Sequence, residues 1–109
     1  MHSIKEQIIS GKMLPGDKLP SSREYAQELG LNFNTIARVY KELEMENIVF
    51  TKRGLGTFIT ESKDKIEDIR LEIADELIEN FIIGMQKIGF NKKDMVSLIE
   101  NSKIIEGNE

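Results

Sequence analysis

The chain has 109 residues, 39% of them hydrophobic and 31% charged, with a formal net charge of −4. That balance fits one small folded domain, or a domain with an appendage, and excludes a disordered chain. The absence of cysteine and the single histidine, His2, exclude a disulfide framework and a thiolate or multi-histidine metal site, and no apolar run reaches the roughly 18 residues of a membrane span.

The first segment, MHSIKEQIIS, carries charges inside its apolar part and has no small-residue cleavage site, so it is not read as a signal peptide and a cytoplasmic location is expected. Ile4, Ile8 and Ile9 share one face of a helix over residues 3–10, stopped by Gly11. LPGDKLP then reads as a turn, because two prolines and a Gly-Asp oppose helix. Ser21 opens a second helix with Glu24 three residues on, the signature of a capping box. Its inward face is expected to be Tyr25, Ala26 and Leu29.

Gly30 supplies a left-handed stop and Asn32 caps the next helix, so two short helices meet across three residues. Such a steep junction is the geometry of a helix-turn-helix. The third helix is expected from about Phe33 to Glu46, with Ile36, Val39, Tyr40 and Leu43 as a buried stripe and Asn47 able to end it in a left-handed conformation. Residues 48–60, IVFTKRGLGTFIT, switch to strand-forming side chains around a basic, glycine-rich tip, which predicts a β-hairpin. Three helices followed by a hairpin make a winged helix-turn-helix.

From Ser62 the chain turns acidic and helical. Ile66, Ile69, Ile73, Leu77, Phe81 and Met85 form one stripe, widened by Ile78 and Ile82, over about 26 residues or roughly 39 Å. A last helix is capped by Asn91 and spans NKKDMVSLIENSKII, with Met95, Leu98 and Ile99 able to fold back on its predecessor. Two helices bury too little alone, so this stripe is expected to pair with that of a second chain. The fold class is therefore α+β, with a DNA-binding winged helix-turn-helix at residues 1–62 and an all-α two-helix dimerisation region at 63–109.

The charge distribution permits a nucleic-acid partner. Residues 1–60 hold eight Lys/Arg and seven Asp/Glu, a net +1, whereas residues 61–109 hold seven and twelve, a net −5. Asn34, Thr35, Arg38 and Lys41 lie off the buried stripe of the third helix, near the end that enters a major groove in such motifs. Asn pairs with adenine, Arg with guanine, and Thr meets a thymine methyl or a phosphate. Arg38 either reads the duplex or pairs with Glu42 at i+4, and Phe33 either touches a thymine methyl or packs on the preceding helix. Ser21, Ser22 and Arg23 stand at a helix start suited to phosphate, and Asn32 is at least a cap. Lys52 and Arg53 read as wing contacts, with Gly54 and Gly56 allowing close approach, or else as residues that only turn the hairpin tip. Glu72, Asp75, Glu76 and Glu79 read as a solvated face, not a metal site. No catalytic constellation is present, and RGLGT leads into a strand rather than a helix, so it is not a nucleotide cradle. Neither enzyme activity nor a cofactor is expected. A winged-helix module for protein contact without DNA is the alternative reading.

Residues 8–60, with ISGKMLPGDKLPSSREYAQELGLNFNTIARVYKELEMENIV and TKRGLGTFI, resemble the GntR family of bacterial transcription regulators. The NFNT turn, VYKELE and the short two-helix tail are most similar to its compact YtrA-type branch. The resemblance implies a dimeric operator-binding protein, often a repressor encoded with a transporter operon. It carries family DNA contacts to Ser21, Arg23, Asn32, Asn34, Thr35 and the wing residue Gly54. Many relatives place arginines where Phe33 and Ala37 stand, and a glycine where Asn47 stands. The longer relatives' ligand domain has no room in the residues after position 62, so a small-molecule effector would have to act at the dimer interface.

Overall fold

A computed structural model describes residues 2–104. It contains α1 (His2–Ile9), α2 (Ser22–Leu29), α3 (Phe33–Met45), the strands β1 (Val49–Lys52) and β2 (Gly56–Ile59), α4 (Lys63–Lys87) and α5 (Lys92–Glu100). The chain divides into two compact units, one up to Leu71 and one from Glu72 onward. The first two turns of α4 thus pack with the winged-helix elements. Among the described residues no helix is long and apolar enough to cross a membrane.

The helix boundaries follow from short-range hydrogen bonding. At the start of α2 the Ser21 hydroxyl accepts from the Glu24 amide at 3.1 Å, and the Glu24 carboxylate accepts from the Ser21 amide at 3.0 Å. α2 ends on Gly30 at φ 67°, where the Gly30 and Leu31 amides donate to the carbonyls of Gln27 and Ala26. α3 ends in the same way, with Asn47 at φ 62° and the amides of Asn47 and Ile48 donating to Glu44 and Leu43. This double-bonded stop satisfies carbonyls that a helix end otherwise leaves open. It also brings Ile48 down onto Leu43, and both side chains are buried. Asn tolerates the left-handed conformation well enough to replace glycine here.

The first unit has an isoleucine-rich core. Ile4, Ile36, Ile48, Ile59 and Ile69 are at most 2% exposed, and Leu19, Tyr25, Ala26, Val39 and Leu43 close around them. Lys5 is also buried, its ammonium 3.1 Å from the half-exposed Glu46 carboxylate, tying α1 to the end of α3.

Three expectations from the sequence need correction. Leu29 does not face inward but is 42% exposed, because α2 completes its inner face with Tyr25 and Ala26 before the chain turns at Gly30. Ile69, expected at a subunit interface, is 2% exposed and belongs to the core of the first unit. The last helix stops at Glu100, and within it Met95 is buried while Leu98 and Ile99 remain about half exposed; Ile105 lies outside the described residues. The turn expected in LPGDKLP forms at Pro15 and Gly16, closed by the Asp17 amide donating to the Leu14 carbonyl at 3.0 Å, and the segment does more. Gly16 and Asp17 exchange backbone hydrogen bonds with Ile59, the Leu19 amide donates to Thr57, and Lys18 bridges antiparallel to Phe58. The segment lies alongside β2 through a single isolated bridge and these backbone bonds, anchoring the wing to the entrance of α2.

Candidate nucleic-acid interface

The turn between α2 and α3 sets the start of α3. The Asn32 side-chain oxygen accepts from the Asn34 amide at 2.7 Å and so caps α3, leaving its amide nitrogen and a second oxygen lone pair for an outside partner. Tyr40 fixes α3 from its other side, its hydroxyl donating to the Pro20 carbonyl at 2.7 Å. Burial, reinforced by Tyr25 and the carboxylates of Glu28 and Glu24, pushes the Tyr40 phenol up to about 12.

Asn34, Arg38 and Lys41 recur at intervals of four and three, with Thr35 beside them, so all four share one exposed face of α3. None of these side chains is engaged in a hydrogen bond or ion pair among the described residues. The alternative for Arg38, pairing with Glu42, is not taken. These uncommitted donors and acceptors are what base edges require, because a side chain already bonded within the protein would have to break that contact first.

The basic side chains around this helix are held differently. The Arg23 guanidinium, at the second residue of α2, lies 4.4 Å from the centroid of the Phe33 ring, at the first residue of α3. Phe33 therefore packs toward the preceding helix while staying 36% exposed. In the wing, Phe50 and Phe58 pair across the strands with ring centroids 5.9 Å apart. Lys52, two residues beyond Phe50 on the same face, rests its ammonium 4.9 Å from the Phe58 centroid and 5.5 Å from that of Phe50. Arg53 is left exposed and unengaged at the tip. Gly54 at φ 78° and Gly56 at φ 124° make the tip turn, and a Cβ at Gly56 would stand 2.7 Å from Cε of Lys18.

That lysine was not singled out in the sequence. With Ser21, Ser22, Tyr40, Leu55 and Thr57 it lines a cleft of about 350 Å³ between the wing and the start of α2. A basic residue bracketed by prolines gives no strand signal; only its alternation with the buried Leu19 hints that Lys18 points outward. The cleft brings together a lysine, two hydroxyls and a helix start, groups of the kinds that hold phosphate, with the Glu24 carboxylate also in its lining. That carboxylate is held below its usual range by its hydrogen bonds to Ser21.

In the second unit the expected interface residues are unevenly exposed. Leu77 and Ile78 are more than half exposed, Phe81 and Ile82 more than a third, and Ile73 and Met85 are half-buried, as is Ile66 in the first unit. Ile78, Phe81, Ile82, Met95, Val96 and Ile99 line an apolar groove of about 240 Å³. Apolar exposure on this scale marks an interaction surface.

Comparison with known proteins agrees with this architecture. The gntR family of bacterial regulatory proteins matches residues 1–59. The HTH-type transcriptional regulator YhcF of Bacillus subtilis is 39% identical over 94 residues, covering 86% of this chain and 78% of that protein. The HTH-type transcriptional repressor YtrA of the same organism is 40% identical over 90 residues, covering 82% and 69%. A GntR family transcriptional regulator from Listeria monocytogenes superposes with a TM-score of 0.82 at 42% identity, covering 94% of this chain and 90% of that one.

Proposed function

Because this chain belongs to the GntR family, whose members are DNA-binding transcription regulators and not enzymes, we propose that it is a repressor acting as a homodimer on a palindromic operator. The observation that carries this reading is the open face of α3. Asn34, Thr35, Arg38 and Lys41 are exposed, uncommitted and aligned along the helix that such motifs insert into a major groove. Around it, Ser21, Ser22, Arg23 and Lys18 would hold backbone phosphates, with Lys52, Arg53, Gly54 and Gly56 reaching the flanking backbone or minor groove.

Dimerisation is supported by the apolar surface of the second unit, through Leu77, Ile78, Phe81 and Ile82 with Ile73 and Met85 at its margin. Two-fold symmetry in the protein calls for two-fold symmetry in the operator, with half-sites about 34–36 Å apart or a multiple of that. A small-molecule effector would act through the same groove. Repression would work by occluding polymerase in the cytoplasm, and the YtrA-type likeness makes a transporter operon the first target to try.

Selection from random duplex DNA with the purified chain tests the reading. An enriched inverted repeat is expected, with affinity falling steeply as salt rises because phosphate contacts release counterions. Recovery of no preferred sequence would overturn it.

A further inference from the structure

We propose that Phe33 is a positioning residue for DNA binding, its ring serving as the seat that holds the Arg23 guanidinium beside the first turn of the reading helix. The inference rests on the DNA-binding reading above.

The argument starts from an electrostatic mismatch. Arg23 is the second residue of α2, where the helix dipole presents its positive end and disfavours a cation. Among the described residues no carboxylate forms an ion pair with it, so nothing of opposite charge holds it there. What it has instead is the face of Phe33, with the guanidinium carbon 4.4 Å from the ring centroid. Stacking of this kind uses the flat face of the guanidinium and leaves its N–H donors free at the edge. A carboxylate partner would have neutralised the charge and occupied those same donors. The aromatic seat fixes the side chain without competing with a phosphate for it.

Phe33 is also poorly explained as a core residue. It is 36% exposed, and with Arg23, Ala26, Gln27, Gly30 and Leu31 it borders an open depression rather than a filled interior. Its position is informative: as the first residue of α3 it immediately precedes Asn34 and Thr35, so a cation on its ring stands next to the groups that meet the groove. Ordering an arginine before binding removes the rotamer cost that a loose one carries into the complex.

The test uses the full chain and a duplex enriched by the selection described above, with binding followed by fluorescence anisotropy across a salt series. Phe33→Leu keeps an apolar side chain and removes the ring; it should weaken binding about three- to tenfold and leave the salt slope unchanged, since the charge remains. Arg23→Ala should weaken binding and reduce the slope by about one. The double variant should bind like Arg23→Ala alone, and Phe33→Tyr should bind within about twofold of the parent, since its ring is retained. In the DNA-free protein, NMR should show the Arg23 Nε–H proton shifted upfield by the ring, a shift kept in Phe33→Tyr and lost in Phe33→Leu. Parent-like binding by Phe33→Leu, additive losses in the double variant, parent-like binding by Arg23→Ala, or absence of the ring shift would each overturn the inference while leaving the DNA-binding reading standing. Failure to enrich any duplex would overturn that reading first.

Discussion

Tyr40→Phe isolates the contact that fastens the reading helix. The Tyr40 hydroxyl donates to the Pro20 carbonyl at 2.7 Å, linking α3 to the residue just before the capping Ser21, while its ring lies 6.2 Å from that of Tyr25. Deleting the oxygen leaves the ring packing intact and removes one hydrogen bond, a net loss of about 1 kcal/mol. Pro20 is itself half-buried, so its carbonyl recovers water and the larger penalty of an orphaned group does not apply. For a domain of this size the melting temperature should fall by about 4–8 °C at neutral pH. The effect has a pH signature. The phenol is raised from 10.0 to about 12 in the folded state, chiefly by burial, so its stabilisation is fully present below pH 10. Between pH 10 and 12 the unfolded chain loses this proton first and the stabilisation drains away. Thermal melts by circular dichroism should therefore show the gap between parent and variant closing across that window. Equal melting temperatures at pH 7, or a gap that stays constant to pH 11, would refute the reasoning.

Four further substitutions probe the interface and its supports. Gly54→Ala, at φ 78° in open space, should cost about 1 kcal/mol in urea unfolding. Gly56→Ala, at φ 124° against Lys18, should cost more, up to about 3 kcal/mol, because the backbone leaves every well open to alanine; equal costs would contradict this. Ser21→Ala should lower stability by about 1 kcal/mol through loss of the α2 cap. Glu24 is held below its usual range by Ser21, so its contribution is present above about pH 4.5 and lost on acidification; that acid sensitivity, followed by circular dichroism, should shrink in the variant. Arg38→Ala should weaken binding to the selected duplex by about 1–3 kcal/mol and relax base preference at one position, and an unchanged selection would remove Arg38 from the reading face.

The helices and the wing were legible because their signals are local. Ser21 with Glu24, Asn32, Gly30 and Asn47 act within a few residues of themselves, and the structure uses each as its chemistry dictates. What escaped depends on contacts between distant segments. The docking of Asp17–Leu19 on β2 is disguised by flanking prolines and is defined only by the Lys18 bridge and its neighbouring backbone bonds. The i, i+3, i+4 stripe of α4 gives no sign that Ile69 is consumed by the first unit while Leu77 and Ile78, a little over two turns on, stay exposed. Leu29 fits the inward period of α2 but falls at its last turn, where no neighbour covers it. The exposed face of α3 proposed to read DNA follows from helical spacing alone. The seat of Arg23 on Phe33 and the approach of Lys18 to Gly56 do not, since both depend on how one element meets the next.

Sedimentation equilibrium on the purified chain, alone and with one enriched duplex, bears most directly on the mode of action. Two chains per duplex are expected, with the free protein already paired and the pairing abolished by Leu77→Glu together with Phe81→Glu. A single chain on the duplex, or binding of undiminished affinity by the doubly substituted monomer, would contradict the joined pair of reading helices on which the proposal stands.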